Sequence, residues 1–253
     1  MTAPLYLVRL ILDRRAVLRV GARHRLGTMV DEGALLHAGL CELFARSSDP
    51  ATIPLSVFAV DDLGAAGAKQ PDSLFLLAYA GVGAAALLRA MGPKRSEIVR
   101  ACETRELPTF AVGQRLGFRT RVCPIARTRR PGQRPLAVNR HGKIKHREID
   151  AYIHATLITA GTANVDRESV YRGWLERELQ RDGASDLTTA RLVEFRREVM
   201  RRHDGARIER PNAVLEGDLR VRDPVAFRAL LARGVGRHRA FGFGMLLLRA
   251  PLV

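Results

Sequence analysis

A glycine-rich segment near the end of the chain limits the folds that this sequence can adopt. It covers residues 234–244 (GVGRHRAFGFG) and combines four glycines with an Arg-His-Arg triplet. Residues 223–233 before it begin with an Asp-Pro pair typical of a helix start, and residues 245–248 after it predict a strand. The order is therefore helix, loop, strand. A dinucleotide-binding fold needs strand, loop, helix, so the sequence excludes a nucleotide-cofactor site at these glycines.

The same segment has the composition of a phosphate-binding loop of another kind. Glycine allows positive φ and lets another chain approach the backbone closely. A loop that is both bare and basic suits a phosphate backbone better than a small neutral ligand. The residues concerned are Gly234, Gly236, Gly242 and Gly244, with Arg237, His238 and Arg239.

The two halves of the chain carry a similar order of predicted elements. In the first half we predict strands over 5–12, 53–60, 74–80, 97–105 and 115–122, and a helix over 31–45. In the second we predict strands over 151–158, 214–221 and 245–248, and helices over 166–181 and 223–233. The repeated β-α-β-β pattern predicts an α+β fold of two tandem ferredoxin-like (RRM-like) domains with antiparallel sheets, over residues 1–124 and 125–253.

Two segments of the second half are less regular. Residues 188–203 place apolar residues at helical spacing opposite an arginine face, which favours a helix. The following Asp204-Gly205 pair is also typical of a hairpin turn, so a β-hairpin remains the alternative. Residues 125–147 are rich in basic residues, glycine and proline and predict an exposed basic linker.

The charge of the chain indicates a polyanionic partner. The formal net charge is +16 and the sequence pI is about 11.1, and a protein this basic most often meets nucleic acid. The predicted strand 115–122 alternates apolar residues with arginines. Its arginine face fits either an ordinary solvated surface or RNA, and the lack of an obvious acidic partner favours RNA.

The cysteines and the apolar segments exclude several other classes of protein. The three cysteines are widely spaced, so they form neither a metal-ligand pattern nor a disulfide framework. The apolar run over 74–90 is interrupted by two glycines and an arginine, and the N-terminus has no signal-peptide pattern. We therefore expect a cytoplasmic protein with no membrane association, no metal and no cofactor.

Six short segments spread over nearly the whole chain occur in the order found in one known family. They are residues 5–12 (LYLVRLIL), 36–40 (LHAGL), 113–124 (GQRLGFRTRVCP), 174–177 (WLER), 214–217 (VLEG), and the tail loop with its strand and Ala250-Pro251. On these residues the chain resembles the CasE branch of CRISPR repeat-processing endoribonucleases, in the RAMP superfamily. The most specific matches are 113–124 and the tail. A related enzyme of the type IV systems is the alternative branch.

The resemblance implies metal-independent cleavage of the repeat in CRISPR precursor transcripts by attack of a 2′-hydroxyl group. A histidine on the first helix transfers a proton in that family, and His37 matches its position. A lone histidine on an apolar helix is otherwise more often structural. The family tyrosine three residues earlier is replaced here by Ala34. Arg23, which could hold the scissile phosphate, and His24, which could share proton transfer or simply be a solvated loop residue, are the candidates to compensate.

The resemblance also implies the partners, which are the repeat RNA hairpin, retained as crRNA, and the other subunits of a CRISPR effector complex. A-form RNA is gripped mainly through its phosphates, so arginines are the expected contacts. The alternatives are a non-catalytic crRNA-binding subunit and a general basic RNA-binding protein. The predicted RNA-binding residues are Arg25, Arg119, Arg121, Arg127, Arg129, Arg130, Arg196, Arg197, Arg201, Arg202, Arg237, His238 and Arg239.

Overall fold

The computed structural model describes residues 4–23, 32–44, 55, 57–60, 72–128, 147–159, 164–201 and 207–251. Within these ranges the chain forms two four-stranded antiparallel sheets and a separate two-stranded ribbon. Helices pack on the two larger sheets. This arrangement confirms the predicted α+β class and the pair of ferredoxin-like domains.

The first sheet carries the β-α-β-β-α-β order of a ferredoxin-like domain. Its strands are β1 (Tyr6–Asp13), β2 (Phe58–Val60), β3 (Ser73–Ala80) and β4 (Val99–Glu106). Its helices are α1 (Arg14–Arg23), α2 (Glu32–Leu43), α3 (Ala84–Ala90) and the single turn α4 (Arg95–Ile98). The strand order is β2-β3-β1-β4, so the two central strands are the first and third of the domain.

Alternation along β1 explains how this sheet packs. Val8, Leu10 and Leu12 are buried against α1 and α2, while the residues between them lie on the opposite face. At the end of the strand, Asp13 starts α1 because its carboxylate accepts a hydrogen bond of 2.8 Å from the Ala16 N–H. The Asp13 carboxylate also bonds the Arg100 guanidinium, which lowers the pKa of Asp13.

The second sheet repeats the pattern. Its strands are β5 (Arg115–Val122), β8 (Ser185–Arg201), β9 (Arg207–Val221) and β10 (Leu246–Arg249), in the order β10-β5-β9-β8. Its helices are α6 (Arg167–Gln180) and α7 (Pro224–Arg233). The predicted start of α7 is confirmed, because the Asp223 carboxylate accepts hydrogen bonds from the N–H groups of Val225 and Ala226. Helix α6 is capped in the same way by Asp166, whose carboxylate accepts a hydrogen bond from the Ser169 N–H. Between β5 and α6 lie the ribbon strands β6 (Ile125–Thr128) and β7 (Arg147–Asp150), followed by α5 (Ala151–Ile158).

Two predictions of secondary structure differ from the structure. The helix favoured over 188–203 is wrong, because β8 and β9 pair as a long hairpin from Ser185–Val221 to Arg201–Arg207, as the alternative held. The predicted turn at 204–205 lies outside the described residues. The strand predicted over 151–158 is the helix α5, which begins where the Asp150 carboxylate caps the Tyr152 N–H.

The place of β5 changes the division between the domains. The sequence assigned 115–122 to the N-terminal domain, yet this strand is a central member of the second sheet. Sheet membership therefore leads us to propose a boundary between Glu106 and Arg115.

The two domains share apolar packing. One core lies under α1, α2 and the first sheet, and a second lies under α6, α7 and the second sheet. Leu5, Val57 and Tyr79 of the first domain belong to the second core, and the Tyr79 hydroxyl donates a 2.8 Å hydrogen bond to the Leu246 carbonyl. Across the described ranges, no helix is both long and apolar enough to cross a membrane.

Candidate functional site

The glycine-rich loop between α7 and β10 is a tight, left-handed path. All four of its glycines have φ between 69° and 83°. At three of them the space also requires glycine. A Cβ on Gly234 would lie 2.8 Å from the Gly244 carbonyl oxygen, one on Gly236 would lie 2.6 Å from the Trp174 ring, and one on Gly244 would overlap the Val235 carbonyl. The four-glycine motif is therefore needed to form this loop, whatever else it does.

Backbone hydrogen bonds fasten the loop to the second domain. The Gly244 N–H donates to the Arg121 carbonyl at 2.7 Å, and the Val235 N–H donates to the Gly244 carbonyl at 2.8 Å. The Gly236 N–H donates to the Glu178 carboxylate of α6 at 3.2 Å. These bonds hold the base of the loop, while the turn at its centre, Arg239–Phe241, contacts α2 and β2 of the first domain.

The predicted histidine and the glycine-rich loop meet in the structure. His37 lies in the middle of α2, half-buried. Phe241 ends a 3₁₀ turn (Arg239–Phe241) in the loop, and its ring centroid is 4.9 Å from the His37 ring at an angle of 52°. Two segments some 200 positions apart in the chain, one from each domain, thus share one site.

The environment of His37 favours its neutral form. Burial lowers the pKa of His37 from its ordinary value of 6.5. One turn further along α2, the Cys41 Sγ lies 3.7 Å from Nε2 and 3.9 Å from Nδ1. Burial raises the pKa of the Cys41 thiol, so this neighbour is protonated at neutral pH and adds no charge. A neutral imidazole in this setting can accept a proton.

Arg23, a sequence candidate beside His37, contacts a different face of α2. It ends α1, and its guanidinium lies 3.5 Å from the Glu42 carboxylate, which also pairs with Lys94. Glu42 is five residues after His37, and such residues point about 140° apart on a helix. Ala34 is half-buried on α2, one turn before His37. The other candidates of this segment, His24 and Arg25, lie outside the described residues.

The arginine face of β5 has acidic partners, contrary to the sequence expectation. Register explains why: Arg119 sits directly opposite Glu216 of β9, and their side chains are 2.6 Å apart. Arg121 bonds Glu198 of β8, also at 2.6 Å. The sequence of one strand does not show which residues of the next strands will face it, so the premise that these arginines lack acids is wrong.

Arg121 also supports the glycine-rich loop. Its guanidinium lies 4.3 Å from the centre of the buried Phe243 ring and donates a 3.1 Å hydrogen bond to Asn212. Together with the backbone bond to Gly244, these contacts tie the central strand of the second sheet to the loop. Arg121 is therefore a support of the site as much as a surface cation.

A cleft of about 280 Å³ opens beside the loop. Glu32 and Val60 of the first domain lie on one side, and Arg119 and Arg121 of the second domain lie on the other. Gly242, next to Phe241, closes one end. The cleft therefore adjoins the segment that touches His37, and it is lined by both domains.

The remaining predicted contacts are spread along the second domain. Arg196 and Arg197 lie on the β8–β9 hairpin in loose ion pairs of 3.9 Å with Glu194 and 3.7 Å with Glu209. Arg127 is exposed on β6, and Arg201 ends β8. Arg129, Arg130 and Arg202 lie outside the described residues.

In the loop triplet, each member has a protein partner. Arg237 pairs with Glu148 of β7, and His238 Nε2 lies 3.9 Å from the same carboxylate. Arg239 donates a 2.6 Å hydrogen bond to the Arg233 carbonyl, and burial lowers the pKa of Arg239. Glu148, which directly follows the predicted linker 125–147, was not singled out in the sequence, because nothing in its own segment shows which loop it will face. Within the described ranges, no group of three or more His, Cys, Asp or Glu is placed to hold a metal ion.

Comparison with known proteins gives one family and a consistent fold. A family model described as CRISPR associated protein matches residues 5–250. The solved structure of the CRISPR endoribonuclease Cse3 bound to a 19-nucleotide RNA is 21% identical, with a TM-score of 0.61 over 98% of this chain and 100% of that one. At this identity the likeness shows a shared fold.

Two further solved structures agree. Cas6e from Escherichia coli K-12 is 20% identical, with a TM-score of 0.55 over 98% of this chain and 100% of that one. Cse3 of Thermus thermophilus, bound to an RNA that represents a pre-cleavage complex, is 20% identical, with a TM-score of 0.59 over 97% of this chain and 99% of that one. A search of curated proteins found no match.

Proposed function

The chain belongs to the CRISPR-associated protein family, and from that premise we propose that it is an endoribonuclease that processes CRISPR transcripts in the cytoplasm. It binds the repeat hairpin and cuts at the 3′ base of the stem to give mature crRNA. The observation that carries the proposal is the contact between His37 and Phe241 of the glycine-rich loop. Neighbours of the same fold are named as CRISPR endoribonucleases, and two of them hold RNA, which supports it.

The proposed reaction needs no metal ion. The 2′-oxygen beside the scissile phosphate attacks phosphorus, its proton passes to the base, and the bond to the 5′-oxygen breaks. The leaving 5′-oxygen takes a proton from water, so the products are a 2′,3′-cyclic phosphate and a 5′-hydroxyl end, and the base later returns its proton to solvent. His37 is the proposed base, because the burial that lowers its pKa keeps the imidazole neutral at neutral pH.

Charge develops on the phosphorane, and cations at the cleft would stabilise it. Arg119 and Arg121 line the cleft beside Gly242, and Arg237 is partly exposed on the loop. The candidates Arg23, His24 and Arg25 remain part of the proposal as compensation for Ala34. Because Arg23 is engaged with Glu42, it would have to turn towards the phosphate when RNA binds.

The RNA stem would lie along the β8–β9 hairpin and the ribbon. Arg127, Arg196 and Arg197 are the described side chains proposed for its phosphates, with Arg201 at the end of β8. Arg129, Arg130 and Arg202 belong to the same proposed surface. These contacts are made away from the cut, so they would survive cleavage. The protein would then stay on the crRNA as a subunit of an effector complex.

Cleavage of labelled repeat RNA in EDTA tests the proposal. We expect one cut at the 3′ base of the hairpin, with a 5′-hydroxyl on the downstream fragment, and no cut in an RNA of equal length whose stem is scrambled. Tight binding to the repeat without any cut would instead support the alternative of a non-catalytic crRNA-binding subunit, which is retained because Ala34 replaces the family tyrosine. Equal binding to both RNAs at physiological salt would overturn the assignment to the repeat.

A further inference from the structure

Glu148 joins three parts of the second domain. It lies on β7 with its side chain only 16% exposed. Its Oε2 accepts from the Arg210 guanidinium of β9 at 2.8 Å, while its Oε1 pairs with Arg237 of the glycine-rich loop. His238 Nε2 lies 3.9 Å from Oε2. One carboxylate thus connects the ribbon, the long hairpin and the loop.

The two arginines that Glu148 contacts differ in exposure. Arg210 is 12% exposed, whereas Arg237 is 45% exposed. A guanidinium carries five N–H donors, so an arginine held by one edge still presents other donors to a phosphate. Glu148 therefore holds the Arg237 guanidinium in place and leaves some of its N–H donors available to a phosphate.

Arg237 lies close in the chain to the residue that contacts His37. Four residues later in the same loop, Phe241 touches the His37 ring. His238 has a left-handed backbone with φ of 59°, and the 3₁₀ turn Arg239–Phe241 follows it directly. We therefore expect a displacement of Arg237 to move Phe241 as well. The base of the loop is already held by backbone bonds, while its centre has Glu148 as a side-chain anchor.

We propose that Glu148 is a positioning residue for the reaction. It holds the centre of the glycine-rich loop, through its ion pair with Arg237, in the place where Phe241 meets His37. Through Arg210 it also links that loop to the hairpin proposed to grip the stem. The inference deepens the proposed function and rests on it for its kinetic test.

Charge alone makes the opposite prediction, which allows a clear experiment. A negative charge near RNA weakens binding. If Glu148 acts only through its charge, its removal should therefore tighten RNA binding and leave the cleavage rate unchanged. A positioning residue acts on the chemical step instead. For Glu148→Gln we expect RNA affinity equal to or higher than that of the wild type and cleavage at saturating RNA slower by about 10- to 100-fold.

The matched control is Glu209→Gln. Glu209 is 54% exposed on the same hairpin, and its side chain lies 3.7 Å from Arg197. This variant removes the same charge from the same region without touching the loop. It should bind RNA slightly more tightly and cut at the wild-type rate. Equal slowing in both variants would overturn the proposal.

A second measurement does not depend on cleavage. Hydrogen exchange of peptides that cover 234–244, measured without RNA, should be faster in Glu148→Gln and unchanged in Glu209→Gln. Glu148→Asp keeps the charge but shortens the side chain by one methylene, so its exchange rate should lie between those of Glu148→Gln and the wild type. It replaces Glu148→Gln in the test if that variant does not fold. Wild-type exchange in both Glu148 variants would overturn the inference. Faster exchange in a protein that never cuts repeat RNA would refute the proposed function alone.

Discussion

At the scale of single residues, the imidazole of His37 combines two properties that a general base needs. It is half-buried, which keeps it neutral, and it contacts Phe241, whose chain neighbour Gly242 lines the cleft between the domains. Besides Phe241, the imidazole contacts the Cys41 thiol, which is a weak and uncharged hydrogen-bonding partner. Removal of the ring should therefore affect chemistry more than folding.

We expect His37→Ala to slow cleavage of repeat RNA by about 10²- to 10⁴-fold, because a positioned base contributes about that much. RNA affinity should stay within a few-fold of the wild type, as measured by filter binding beside single-turnover cleavage. Cys41→Ala is the control, since it removes the neighbour that touches the ring and should cut at nearly the wild-type rate. A His37→Ala protein with full activity would move the base to the Arg23–Arg25 segment.

The lowered pKa of His37 predicts the pH dependence. Neutral imidazole is the active form of a base, so single-turnover cleavage should lose half its rate at a pH below the ordinary value of 6.5. Phe241→Ala would expose the ring and move that midpoint upward, towards 6.5. Arg119→Lys is the control: Arg119 lines the same cleft but pairs with Glu216 of β9, so this variant should alter the rate but not the midpoint. If the midpoint is unchanged in Phe241→Ala, the contact with Phe241 is not what lowers the pKa of His37.

Sequence reasoning at this scale succeeded where a local motif existed. The four glycines were found from their own segment, and each has the positive φ that the motif predicted. His37 was named from the family resemblance, and its catalytic role stays a prediction. It failed for Glu216, Glu198 and Glu148, which matter only because strand register and a distant ribbon bring them to arginines. No single segment of the chain encodes those pairings.

At the scale of elements, local rules predicted the capped helices and missed the long hairpin. Asp166 and Asp223 start α6 and α7 as their N-cap patterns require. Over 188–203, helical spacing of apolar residues competed with strand pairing. Pairing prevailed because β9 supplies a ladder of partners along the whole of β8. Arg196 and Arg197 are therefore neighbours on a strand and point to opposite faces of the hairpin, whereas a helix would have placed both on one face.

Arg196→Ala combined with Arg197→Ala should weaken RNA binding through lost phosphate contacts. The slope of log affinity against log salt should fall by about 2, with cleavage at saturating RNA unchanged. Arg222→Ala is the control, because Arg222 has a similar loose ion pair, 3.4 Å from Asp186, at the opposite end of the ladder. That end is roughly 35 Å away along the strand. An identical salt slope in both variants would remove the hairpin from the RNA surface.

At the scale of the whole molecule, the site depends on how the two sheets are joined. His37 belongs to the first domain and Phe241 to the second, so neither domain holds the site by itself. The repeated element order predicted the two domains, but the joint between them is a matter of tertiary contacts. Tyr79 of β3 is its most specific part, since its hydroxyl reaches the edge strand β10 just after the glycine-rich loop.

Tyr79→Phe should therefore destabilise the protein by about 1 to 3 kcal/mol, because the Leu246 carbonyl loses its buried donor. For a chain of this length each kcal/mol lowers the melting temperature by about 2–4 °C, which calorimetry resolves. Thr156→Ala is the control: it removes an exposed hydroxyl bonded to the Tyr152 carbonyl at 3.0 Å and should change stability by less than about 0.5 kcal/mol. The burial that raises the pKa of Tyr79 keeps the hydroxyl protonated, so the difference between the two variants should persist across neutral pH. Equal melting temperatures for Tyr79→Phe and the wild type would mean that apolar packing alone joins the sheets, and the His37–Phe241 contact would then depend on that packing.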